Sequence, residues 1–169
     1  MKKVISFLMS VVMLLSITYI PGMSAFAIDN RVEKAVQIAI GIANDNSHGY
    51  SQSRREGPDY DCASLVYYSF TQAGFTFDKR WFATPDMGAS LEHAGFKKIT
   101  GINFSNSNSL QRGDILWKSG HTEIYIGSNN RVGAHSDRGY PQTGDQTGTE
   151  ISVSPYWGQQ GWTAVYRYG

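Results

Sequence analysis

The chain holds a single cysteine among 169 residues, so no disulfide can form within it and no multi-cysteine zinc site can be built. Charge is also scarce. Asp, Glu, Lys and Arg make up 17% of the chain, against roughly 25% in an average globular protein, which excludes a highly charged disordered tail. Neither sign dominates: 15 basic residues face 14 acidic ones, and nothing in that balance points to nucleic acid as a partner. Internal repeats and linkers are absent too, and 169 residues without them favour one domain. What the chain does have is 41% hydrophobic residues, enough for a core, with 18 glycines and 13% aromatics that suit a turn-rich, sheet-bearing body.

Lys2 and Lys3 precede an apolar run from Val4 to Ile20, and Ala25-Phe26-Ala27 follows as a small-residue cleavage pattern. The run is nearly long enough to span a bilayer, but Pro21-Gly22 and the Ala-x-Ala pattern favour a cleaved secretory signal over residues 1–27. The exported domain is then 28–169, with 13 basic and 14 acidic residues and no stable membrane association. Its expected location is extracellular, in the cell wall or in the periplasm. A lone cysteine in an exported protein is either buried and inert or reactive.

Asn30 and Glu33 have capping-box spacing ahead of a helical apolar period, which predicts a helix from Arg31 to about Asn44. Asp61 is the expected N-cap of a second helix carrying Cys62, Leu65, Val66, Ser69 and Phe70, closed by Gly74. Thr84-Pro85 predicts a third, short helix with proline at its first position, ending at Gly95. Beyond Gly95 the pattern turns strand-like, with runs at 96–99, 114–117, 122–126, 131–135, 150–153 and 163–168. Ile126-Gly127-Ser128-Asn129-Asn130-Arg131 reads as a hairpin turn between two antiparallel neighbours, and 136–149 as a long surface loop of the functional sort. Helices first and strands second predict an α+β domain, with N-terminal helices packed on a C-terminal antiparallel sheet.

Cys62 follows a helix N-cap, where backbone N–H groups and the helix dipole favour a thiolate. A cysteine hydrolase also needs an imidazole to take the thiol proton and return it to the leaving amine. Four histidines are available. His48 lies in a polar loop and His93 on the short third helix, whereas His121 stands at the start of a strand and His135 on the strand expected to return beside it. The third group, which fixes the imidazole's orientation, is then His135, with Glu123 or a backbone carbonyl as alternatives. Trp81, Trp157 and Trp162 lie in or beside loops and can wall a groove; Asp61, Trp81 and Trp157 are the candidate substrate-binding residues.

Three segments, taken in order, resemble one known family. Tyr60-Asp61-Cys62-Ala63-Ser64-Leu65-Val66, Leu110-Gln111-Arg112-Gly113-Asp114-Ile115 and Gly120-His121-Thr122-Glu123-Ile124-Tyr125-Ile126-Gly127 are similar to the motif series of the NlpC-type papain-like cell-wall peptidases. Arg55-Glu56-Gly57-Pro58, with Tyr67-Tyr68 and Ala73-Gly74, resembles most closely their phage-lysin branch, the peptidoglycan amidases. The resemblance spans about Ala35 to Tyr168. It implies a papain-like fold, Cys62 as nucleophile, His121 as base and acid, Tyr50 as an oxyanion-stabilising group, and no cofactor or metal. Two positions depart from the family: Ala63 replaces a usual serine, and Gly133 falls where the third catalytic side chain is expected, leaving His135 or Glu123 to take over.

The implied reaction is hydrolysis of a peptidoglycan amide through a thioester, at either the N-acetylmuramoyl-L-alanine bond or the γ-D-glutamyl bond of the stem peptide. Two other readings stand beside it. One is a wall-binding module that kept the fold without the chemistry. The other is an exported antibacterial toxin of the same chemistry, with a small immunity protein as partner.

Overall fold

The computed structural model describes residues 29–136, 150–158 and 161–169. The expected signal segment and nearly all of the 136–149 loop lie outside the described residues. Three helices, α1 (Asn30–Asn44), α2 (Cys62–Gln72) and α3 (Met87–His93), precede six strands: β1 (Phe96–Ile99), β2 (Ile115–Lys118), β3 (His121–Gly127), β4 (Asn130–Ala134), β5 (Ile151–Pro155) and β6 (Ala164–Tyr168). The strands form one open antiparallel sheet in the order β1-β6-β2-β3-β4-β5. This is the expected α+β layout. Among the described residues no helix is long and apolar enough to cross a membrane.

Helix starts follow local chemistry, with two corrections to the expected boundaries. Asp29, not Asn30, caps α1, its carboxylate accepting from the Arg31 N–H at 2.8 Å. The α3 helix begins at Met87 rather than at Pro85, after a turn in which the Met87 N–H reaches the Ala83 carbonyl. The α2 start is as expected, and doubly tied. Ser64 N–H donates to Asp61 Oδ1 at 2.7 Å while the Asp61 N–H donates to Ser64 Oγ at 2.9 Å. Two of the orphan donors at this end are thereby satisfied, and the first turn carrying Cys62 is held in place.

The α1 and α2 helices bury Val36, Ala39, Leu65, Val66 and Phe70 against Ile115, Ile124 and Val132 of the sheet. Strand alternation sends the neighbouring residues to the opposite face, where Leu116, Tyr125, Tyr156, Trp162 and Val165 form a second, smaller core. The β3–β4 hairpin turns through Ser128 and Asn129, both at positive φ (49° and 57°), the geometry a tight two-residue turn requires. A bulge between Tyr125 and Gly127 then shifts the register, so that Tyr125 pairs with Arg131 and Ile124 with Val132. The next pair along that register is Glu123 with Gly133.

Candidate active site

Cys62 is the first residue of α2, buried at 8% exposure, with its sulfur against the backbone N–H groups of Thr122 and Ala63. Thr122 follows His121 on β3, so the packing of α2 on β3 sets the thiol against the backbone of the residue next to the histidine. Burial, and after it the Asp61 carboxylate, pushes the Cys62 thiol up to about 11, outweighing those N–H groups and the Arg55 charge. The resting sulfur therefore carries its proton. A neighbouring base must remove it at the moment of attack.

His121 sits at the first position of β3, its side chain 21% exposed. Its Nε2 lies 3.0 Å from Glu123 Oε1. Glu123 is almost fully buried, which by itself favours the protonated acid; contacts with His121 and His135 and the Arg131 charge overcome this and hold its carboxyl down at about 2. An ionised carboxylate has no proton to give, so both histidines donate to it through Nε2–H. For His121 this leaves Nδ1 as the acceptor available to the thiol proton.

The expected orienter and its alternative meet at one carboxylate. His135 lies just past the end of β4, and its Nε2 reaches the same Glu123 Oε1, at 2.9 Å, that His121 uses. The two rings lie 4.9 Å apart between centroids, side by side on one carboxylate, so His135 is a second client of Glu123 rather than the group holding His121. Arg131 Nη1 closes the cluster, 2.5 Å from each Glu123 oxygen. The ligand atoms of His121, Glu123 and His135 fall within 4.8 Å of one another, a spacing that could hold a divalent ion. The guanidinium already neutralises the carboxylate, however, and places a cation where a metal would add a second.

Tyr50 is carried to the site by a parallel bridge with Tyr60, two residues before the nucleophile. Burial first, and then the nearby sulfur, raise its hydroxyl above the ordinary tyrosine range, so it stays protonated and able to donate; it also accepts from Gln52 Nε2 at 3.0 Å. Asp61 is occupied in capping α2 and in pairing with Arg55, whose Nη2 donates to it at 3.0 Å and to the Phe82 carbonyl at 2.7 Å. It nevertheless lines the cleft of about 270 Å³ that also contains Cys62, Gln52, Arg55 and Thr84. Gly120 is shared between that cleft and a neighbouring one lined by Tyr50, His121 and His135.

The tryptophans separate. Trp81, at φ 54°, donates to the Tyr68 hydroxyl and lies under the Arg80 guanidinium, and Trp157 stands 69% exposed after β5. Neither lines the clefts at Cys62 and His121. Trp162 does: its ring stacks on His121 at 5.9 Å between centroids and 22° between planes, and it walls the cavity around Glu123 and Arg131. Arg131 escaped the sequence reading, although its alternation on β4 with Gly133 and its distance from the hairpin turn carried a usable signal.

A protein-family model described as bacteriophage peptidoglycan hydrolase matches residues 34–140, well over half of the chain. The chain belongs to that family. Its fold is also that of the NlpC/P60 cell-wall peptidases. NlpC1 from Trichomonas vaginalis is 15% identical with a TM-score of 0.52, the match covering 82% of this chain and 44% of that one. The resuscitation promoting factor interacting protein RipA is 24% identical with a TM-score of 0.50, over 82% of this chain and 62% of that one. The P60 domain of an antigen from Mycobacterium avium subspecies paratuberculosis is 17% identical with a TM-score of 0.47, over 81% of this chain and 96% of that one. The chain thus spans less than two thirds of RipA and under half of NlpC1. No curated protein sequence matches it significantly. The family match and the NlpC/P60-type fold thus concern the same domain of this chain.

Proposed function

We propose that the protein is an exported, cysteine-dependent amidohydrolase that cuts an amide of the peptidoglycan stem peptide, either the N-acetylmuramoyl-L-alanine bond or the γ-D-glutamyl bond. The observation that carries this reading is the placement of a helix-start thiol, an imidazole held through Nε2 by a buried ionised carboxylate, and a protonated tyrosine hydroxyl along two clefts that meet at Gly120.

In the reaction, His121 Nδ1 takes the Cys62 proton as the sulfur attacks the scissile carbonyl carbon. The carbonyl oxygen becomes an oxyanion facing the Tyr50 hydroxyl and the backbone N–H of Cys62 at the start of α2. His121 then returns the proton to the departing amine, and the carbon–nitrogen bond breaks to leave a thioester. Water attacks the thioester, its proton passing to His121 and on to the released thiol. Glu123 stabilises the imidazolium formed in both halves.

The apolar N-terminal segment ending in Ala-x-Ala supports export, and peptidoglycan is the polymer that an exported enzyme of this family meets. Mass spectrometry of fragments released from purified peptidoglycan tests the reading. A new N-terminal alanine identifies the amidase and a fragment ending in D-glutamate the endopeptidase; sugar-chain cleavage, or no release at all, contradicts the proposal.

A further inference from the structure

Glu123 and Gly133 face each other across the β3–β4 ladder, in the register that the bulge after Tyr125 establishes. A methyl carbon added to Gly133 would lie 2.6 Å from Glu123 Cγ and 3.0 Å from both its Cδ and Oε1. The first distance is shorter than real contacts of such a carbon and the other two are tighter than nearly all of them, so the Glu123 side chain occupies the space that a side chain at 133 would enter. The strand cannot yield, since β4 is paired with β3 on one side and with β5 on the other, including Gly133 with Ser152. The carboxylate would have to move instead. It is held by Arg131 and by both histidines, so displacing it breaks the bond that fixes His121.

We propose that Gly133 is a positioning residue for the reaction: because it has no side chain, Glu123 reaches across from β3 and supplies the carboxylate that orients His121. The two residues are one functional unit divided between two strands. An acidic side chain and a bare backbone are needed opposite each other, and the bulge at Ile126 brings them into line. Without that extra residue, Glu123 would face Ala134. The same geometry allows the carboxylate to be supplied from the other strand. An aspartate oxygen lies about 2.4 Å from its own Cβ, close to the 3.0 Å separating a Cβ at 133 from the present Oε1.

The inference rests on His121 acting with Cys62, and its test is a mutant cycle read in two ways. Gly133→Ala, Glu123→Ala, the pair together, and Glu123→Ala with Gly133→Asp are compared for turnover on purified peptidoglycan. In parallel, NMR of 15N-histidine protein follows the His121 Nε2–H tautomer, and thermal melts report folding. Gly133→Ala should lower turnover about 100-fold or more and abolish the carboxylate-bound Nε2–H signature in a protein that still folds. Adding it to Glu123→Ala should cost nothing further, since the side chain it displaces is already gone. Gly133→Asp in the Glu123→Ala background should recover at least about tenfold.

A fully active Gly133→Ala, or losses that multiply in the double variant, would overturn the coupling. If the aspartate variant does not fold, the alanine cycle decides alone. If the wild type leaves peptidoglycan intact, the substrate reading fails, while the tautomer cycle still supports or refutes the coupling.

Discussion

His121 and Glu123, two residues apart on β3, are joined Nε2 to Oε1 at 3.0 Å, so a single strand supplies both the proposed base and the carboxylate bonded to it. The period of two in an extended chain puts both side chains on one face of the sheet, and the buried carboxylate stays ionised because Arg131 and the two imidazoles surround it. The orienting group therefore needs no long-range contact of its own, only space on the facing strand.

Replacing Glu123 by glutamine keeps the shape and removes the charge. Turnover should fall about 100-fold or more, in line with the loss of a charge that orients and stabilises a catalytic imidazolium. The buried Arg131 would be left without its counter-charge, a change that typically costs about 3–5 kcal/mol. Thermal melting together with turnover on the same preparations checks both effects.

Acid should unfold the protein partly through this carboxyl. Its folded value of about 2 lies below its ordinary 4.5, so its contribution is present above about pH 4.5 and disappears as pH falls toward 2. The shift corresponds to on the order of 3 kcal/mol. Denaturant titrations from pH 6 to pH 2.5 should show this loss in the wild type and a flatter profile in Glu123→Gln.

The lone thiol offers a site-specific readout. Alkylation of Cys62 by iodoacetamide should accelerate with pH toward about 11, where the buried sulfur ionises. Asp61→Asn keeps the α2 cap and removes the negative charge that raises the thiol, so it should move the profile to lower pH, with a drop in melting temperature from the lost ion pair with Arg55. Asp61→Ala should shift it similarly but also lose about 1 kcal/mol of capping. An unchanged profile in both variants would contradict the electrostatic account.

Tyr50→Phe removes the hydroxyl aimed at the sulfur's surroundings while leaving the ring in the core. If that hydroxyl faces the oxyanion, kcat should drop about 100-fold or more with KM nearly unchanged. Stability should change little, because the substitution gives up only the bond with Gln52. A rise in KM at constant kcat would make Tyr50 a substrate-binding residue instead.

Much of this site was legible in the sequence because it rests on local rules. An Asp before an apolar helical period places Cys62 at a helix start, and Gly120 followed by alternating β-branched residues places His121 at the head of a strand. The polar stretch from Gly127 to Asn130 marks the hairpin. The orienter was harder. Counting from His121 leads to Gly133, which has no side chain, and simple alternation then leads to His135. Glu123 lies within reach of the period-of-two pattern, but the space left for it opposite Gly133 depends on the bulge between Tyr125 and Gly127, which shifts the register by one residue and is invisible to that pattern. Trp162 was visible only as a loop aromatic, since its stack on His121 depends on where β6 enters the sheet. Trp81 and Trp157 looked equivalent to it in sequence, yet one turns onto Tyr68 and the other stands in solvent.

The central claim is that the Cys62 sulfur attacks a stem-peptide amide, and the most direct measurement compares wild type with Cys62→Ser on the same purified peptidoglycan. Soluble fragments are quantified by mass spectrometry over time, and melting curves confirm that both proteins are folded. The account predicts fragments bearing one newly exposed amine from the wild type and a rate at least about 10⁴-fold lower from the serine variant. Release of the same fragments at the wild-type rate by Cys62→Ser would contradict it.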